Sequence, residues 1–246
     1  MNWKRLIIIG AAVIIGLLVI GAVTIPGLVR SFFYPVAGPM PAALRKPVTE
    51  ILSELEALLR QKAPRVLEEM QPGLSNEQIS TLERQSGVHL SEDIKALYRW
   101  RNGSKSLDPR IDGPIPGHRF VPLEEALGST AVLSNEVAKA TSAQRTAFGF
   151  FAGHRKTWIS LFDDGAGDGY FFDPQRKATE GAIFFCFAED GTFVFFPSLG
   201  NLLAGATKCY QKDAFSWKDG PSSPGLEQDF NQSTKIWNEF GSLNSR

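Results

Sequence analysis

Residues Trp158–Pro174 read WISLFDDGAGDGYFFDP. Two aromatic and β-branched runs flank a centre that holds Asp163, Asp164, Gly165, Gly167 and Asp168, and the stretch closes on Asp173 and Pro174. Short runs of this composition, bounded by glycine and aspartate, predict a strand, a turn and a second strand. So many carboxylates also raise the question of chemistry. The calcium-loop spacing D-x-[DN]-x-[DN]-G-x5-E, set on Asp164, is met at Asp164, Asp168 and Gly169. Ala166 stands at its third position, however, and Gln175 where the bidentate glutamate belongs. The flanks read as strands, where that loop needs helices. No lysine or helix start follows the glycines, and the aspartates would repel a phosphate. Asp163 and Asp164 are adjacent, so an extended backbone points them to opposite faces rather than into one cleft. The stretch therefore reads as a strand–turn–strand. Gly165 and Gly167 supply backbone freedom, and Asp163, Asp168 and Asp173 are expected to cap turn amides locally.

The same pattern continues downstream. GAIFFCF and GTFVFF join TWISLF and GYFFD as four expected antiparallel strands, with Ala188–Thr192 (AEDGT) as the clearest hairpin turn. Upstream the period changes to that of helices. Ile51, Leu55, Leu58 and Leu59 mark one helix, which Pro64 breaks or follows with a new turn. Ser75 with Gln78 forms a capping-box pattern, Gly87 ends that helix, and Ser91 caps the next, for which Asn102-Gly103 is the expected stop. HRFVPLEEAL predicts a short strand leading into a helix, PSLGNLLAGATKCYQ a helix, PSSPG a loop and LEQDFNQSTKIWNEFG a last helix. The fold class is α+β, with an antiparallel sheet of about four to six strands packed against helices.

A single transmembrane helix is expected before this domain. After a short basic N-terminus (residues 1–5), Leu6 to Ile25 is uncharged and apolar, long enough to span about 30 Å of hydrocarbon at 1.5 Å per residue. The run is too long for a cleaved signal peptide and lacks a good cleavage site, so it reads as an uncleaved anchor. Lys4 and Arg5 precede it and only Arg30 lies close behind, which favours a cytoplasmic N-terminus and an exported domain. Five prolines make residues 26–47 a stiff linker, and the domain occupies residues 48–246 with its core at about 70–215.

Composition narrows the function classes. In 246 residues, 26 basic and 26 acidic side chains cancel, so nothing favours a nucleic-acid partner. Cys186 and Cys209 form no zinc or redox pattern and read as separate buried thiols. His89, His118 and His154 lie in no metal-ligand or nucleophile–base spacing and read as structural. No cofactor is expected.

The order of these pieces resembles the SUKH superfamily, the domain of the fungal Smi/Knr cell-wall assembly regulator. The resemblance rests on Gly87-Val88-His89-Leu90, Ser91-Glu92-Asp93 and Trp100-Arg101-Asn102-Gly103, then on Trp158 with Asp163, Asp164, Gly165, Gly167, Asp168, Asp173 and Pro174, and on Pro197-Ser198 at the closing helix. Ser91 stands where relatives often have proline, and the anchor is unusual among them. The resemblance implies binding rather than chemistry. Many bacterial members are thought to be immunity proteins that neutralise a toxin, and fungal members are scaffolding regulators of wall synthesis. On that basis the expectation is a membrane-tethered protein-binding domain facing a cognate toxin. The alternatives are an envelope or cell-wall regulator and a metal-dependent hydrolase using the carboxylates of the Asp163–Asp173 loop.

Overall fold

Val48, Ile51, Leu52, Leu55 and Leu59 fall on one stripe of helix α1 (Val48–Lys62) and form its buried face. The computed structural model to which it belongs describes residues 46–105, 113–128, 158–166, 168–174, 181–187, 191–219 and 224–241. Pro64 opens α2 (Pro64–Glu69), at a position where its missing N–H costs nothing. Strand β1 (Met70–Pro72) follows. Ser75 caps α3 (Asn76–Ser86) in a reciprocal box with Gln78, and Gly87 closes that helix in the left-handed region at φ 70°. Ser91 caps α4 (Glu92–Trp100), accepting from the Ile94 N–H, and Ile94, Leu97 and Tyr98 are buried.

β2 (Arg101–Ser104) turns back to pair antiparallel with β1, Met70 opposite Ser104. β3 (Arg119–Phe120), β4 (Ile159–Asp163), β5 (Gly169–Phe172), β6 (Ile183–Phe187) and β7 (Gly191–Phe196) form a five-stranded antiparallel meander in chain order. Phe162, Tyr170, Phe172, Ile183, Phe185 and Phe196 join the main core with α1 and α4. A register irregularity between Ser160 and Phe162 lets the consecutive residues Leu161 and Phe162 both enter it. Trp158, Ala182 and Phe184 form a smaller separate cluster, in which Trp158 stacks on Phe184 with centroids 5.1 Å apart.

Helix α5 (Leu199–Gln211) is buried on most sides, and α1 packs along it. The hairpin β8 (Phe215–Lys218) and β9 (Gly225–Gln228) and helix α6 (Phe230–Phe240) complete the described chain. A Cβ at Gly205 would sit 2.6 Å from the Trp237 ring, so the missing side chain is the notch that lets α6 dock on α5.

Three expectations need correction. Asn102 and Gly103 do not stop α4, which ends at Trp100 with Arg101 already extended; they lie within β2. LEQDFNQSTKIWNEFG is not all helix, because Leu226–Gln228 pairs with β8 and Asp229, accepting from the Gln232 N–H, caps a helix that starts at Phe230. β1, β2, β8 and β9 add short strands outside the expected sheet. Among the described residues no helix is long and apolar enough to cross a membrane. The expected anchor Leu6–Ile25 and the linker through residue 45 lie outside the described residues.

Candidate functional site

Three signature residues, Asn102, Gly103 and Asp163, meet one segment, residues 113–128, hereafter the strap. Two fully buried tyrosines hold its backbone: the Tyr210 hydroxyl donates to the Pro114 carbonyl and the Tyr98 hydroxyl to the Val121 carbonyl, each at 3.1 Å. Burial raises both phenols above their ordinary pKa and keeps them neutral donors. The Ser104 hydroxyl accepts from the Phe120 N–H at 3.0 Å.

Asn102 is 6% exposed and uses both ends of its amide. Its Oδ1 accepts from the Leu123 N–H at 3.0 Å, and its Nδ2 donates to Glu124 Oε2 at 3.0 Å. Leu123 begins the helical turn of residues 123–128, so Asn102 caps a helix 21 residues downstream of itself. Gly103 adopts φ 77°, and a Cβ there would lie 2.4 Å from the Pro122 nitrogen. Asn-Gly is thus the latch that seats the strap against β2. Trp100 donates its indole N–H to Glu56 of α1 at 2.6 Å, and the Arg101 guanidinium sits over the Trp100 ring and 3.3 Å from the same carboxylate. A hydrogen bond from Arg60, then that from Trp100, holds the Glu56 carboxyl below its usual pKa.

The strap also carries Arg119, directly opposite Asp163 in the β3–β4 pairing. Arg119 donates to Asp163 through Nε at 2.8 Å and Nη2 at 3.1 Å, and its Nη1 reaches Glu125 Oε2 at 2.9 Å, with Nη2 on the other oxygen. One buried guanidinium therefore binds two carboxylates, each through two hydrogen bonds. The hydrogen bonds from Arg119 lower the Glu125 carboxyl from its ordinary pKa.

The turn itself is closed mainly by Asp164. Its Oδ1 accepts from the Ala166 and Asp168 N–H groups at 2.8 and 3.0 Å, and its own N–H donates to the Asp168 carbonyl. Asp163 accepts from the Gly165 N–H at 3.2 Å. Asp173 accepts the Trp158 indole N–H at 3.2 Å. Asp163 thus caps a turn amide as expected, and Asp164 does so as well. Gly165 has φ 76°, as a turn glycine should; Gly167 lies outside the described residues. Pro174 and Pro197 are half-buried beside their motifs. Ser198 caps α5 through the Asn201 N–H, while buried Asn201 donates to the Phe240 carbonyl and ties α5 to the end of α6.

Among the described residues no group of three His, Cys, Asp or Glu side chains could hold a metal ion. Cys186 and Cys209 are separate buried thiols, and burial pushes Cys209 up to about 12. His89 is an exposed side chain beside Glu83, and His154 lies outside the described residues. Arg119, Glu125, Glu56 and Glu124, the partners that make the motifs cohere, were not singled out from sequence.

A meander whose signature side chains bond the strap, α1 and one another defines a small α+β scaffold domain. The family model described as "SMI1 / KNR4 family (SUKH-1)" matches residues 73–205, more than half of the chain, and the chain belongs to that family. No curated protein matches it.

Proposed function

We propose that this chain is a protein-binding domain and not an enzyme, tethered to the membrane by Leu6–Ile25 and exported, where it acts as an immunity protein against a toxin. The observation that carries the reading is the internal use of the signature. Trp100, Asn102, Asp163, Asp164 and Ser198 direct polar groups to backbone amides, to Arg119 or to neighbouring carboxylates. Such groups build a scaffold, and recognition then belongs to its outer surface. Family membership supports a protein partner, and the charge bias of Lys4 and Arg5 supports export.

The test is toxin challenge of cells lacking the protein, with the toxin encoded beside its gene. Sensitivity that is restored by the full chain, but not by a chain lacking residues 1–25, is the expected result. Unchanged toxin sensitivity together with altered wall sensitivity would replace this reading with an envelope scaffold. Calorimetric binding of calcium, magnesium or manganese at the Asp163–Asp173 loop would revive the hydrolase.

A further inference from the structure

His118 lies where the strap meets the acidic turn. Its Nδ1 is 3.0 Å from the Pro116 carbonyl, which can only accept, so Nδ1 carries the proton and Nε2 is a bare lone pair. That Nε2 is buried and meets no donor. The ring lies edge-on to Tyr170 of β5 (centroids 5.1 Å, 64°) and to Phe185 of β6 (5.8 Å, 71°). The charges facing it are Asp163 on β4 and Asp164 and Asp168 on the turn. Arg119, its neighbour in the strap, is directed to Asp163 and Glu125. Tyr170 is a buried phenol that burial keeps neutral, and Phe185 brings no charge.

We propose that His118 is an acid-sensitive wedge between the strap and the sheet. A second proton can enter the ring only at Nε2. There it becomes an N–H donor and a positive charge in a place that offers no acceptor. The protonated ring leaves the Tyr170–Phe185 contact for the carboxylates of the acidic turn, and residues 113–121 loosen from β4 and β5. A surface formed jointly by the strap and the turn then exists at neutral pH and is lost in acid.

The sign follows from the environment. Burial disfavours the charged ring most strongly, and the carboxylates of Asp164, Asp163 and Asp168 oppose it without reversing it. A base whose folded pKa is depressed stabilises the fold fully above its unfolded value, about 6.5, and that contribution shrinks as pH falls from there toward the folded pKa. Each unit of depression is about a tenfold change in the opening equilibrium.

Mass-spectrometric hydrogen exchange on the full chain in detergent micelles tests this, reading imidazole C2–H and backbone amides together. The expected result is that His118 titrates below the ordinary imidazole value of about 6.5. Between neutral pH and about pH 5, protection at Phe120, Val121 and Asp168 should fall by about tenfold or more after correction for intrinsic rates, while α3 is unchanged. His118→Asn keeps an N–H donor for Pro116 and should remove the pH dependence. Equal loss of protection in that variant overturns the proposal. If the variant does not fold, the wild-type data decide: His118 titrating at or above the ordinary imidazole value of about 6.5, or α3 opening together with the strap, overturns it too.

Discussion

Replacing Asn102 with alanine tests the latch most directly. The substitution removes the acceptor for the Leu123 N–H and the donor to Glu124. Leu123 is fully buried, so its N–H has no ready access to water. Leaving such a donor orphaned costs about 1–3 kcal/mol. Glu124 is exposed and regains water, so loss of that bond adds only about 0.5–1 kcal/mol. The expected total is about 1.5–4 kcal/mol, a substantial part of the ~5–15 kcal/mol available to a domain. Urea unfolding of the full chain followed by circular dichroism would measure it. The control is Glu124→Ala, expected below about 1 kcal/mol, with the double variant within about 0.5 kcal/mol of Asn102→Ala alone. A loss under about 1 kcal/mol for Asn102→Ala, or one equal to that of Glu124→Ala, would refute the claim that Asn102 caps the 123–128 turn.

Gly103→Ala should be more damaging, about 3–5 kcal/mol by the same urea assay, since it combines left-handed strain with a Cβ 2.4 Å from Pro122. Arg119→Met should cost about 2–4 kcal/mol, because it leaves Asp163 and Glu125 without their shared cation; stability within about 0.5 kcal/mol of wild type would sink the clamp. Glu125 has a depressed folded pKa, so its contribution is present above about pH 4.3 and disappears as pH falls through the folded value; Glu125→Gln should flatten that acid limb in a pH series of thermal melts. A truncation that begins at residue 73 should not fold, as judged by circular dichroism. It removes the buried faces of Val48, Ile51, Leu52, Leu55 and Leu59, at about 1.5–3 kcal/mol each.

What was legible in the sequence was local. Ser75 with Gln78, Gly87 and Ser91 act within one helical turn of themselves, and their roles follow from spacing alone. The meander was legible because its aromatic runs alternate with glycine and aspartate turns. Asn102-Gly103 looked like a helix stop because Asn-Gly favours that position locally, whereas the partners of Asn102 lie 21 and 22 residues downstream. Arg119 carries no local signal at all; its carboxylates stand 44 and 6 residues away and meet only once β3 pairs with β4. The hairpin of β8 and β9 was hidden because four-residue strands show little period, and Leu226 continued the apparent helical pattern of α6.

The packing of α1 along α5 also sets a timetable. Lys62 bonds the Tyr210 carbonyl across 148 positions of chain. Closing a loop of that length costs on the order of 4 kcal/mol in entropy before any contact offsets it. During synthesis, α1 leaves the ribosome first and its partner helix follows after ~8–30 s at ~5–20 residues per second. Throughout that interval the side of α1 that packs along α5 lacks its partner helix. The nascent protein therefore presents a greasy helix to whatever chaperone waits at the exit, long before the surface that meets its partner exists.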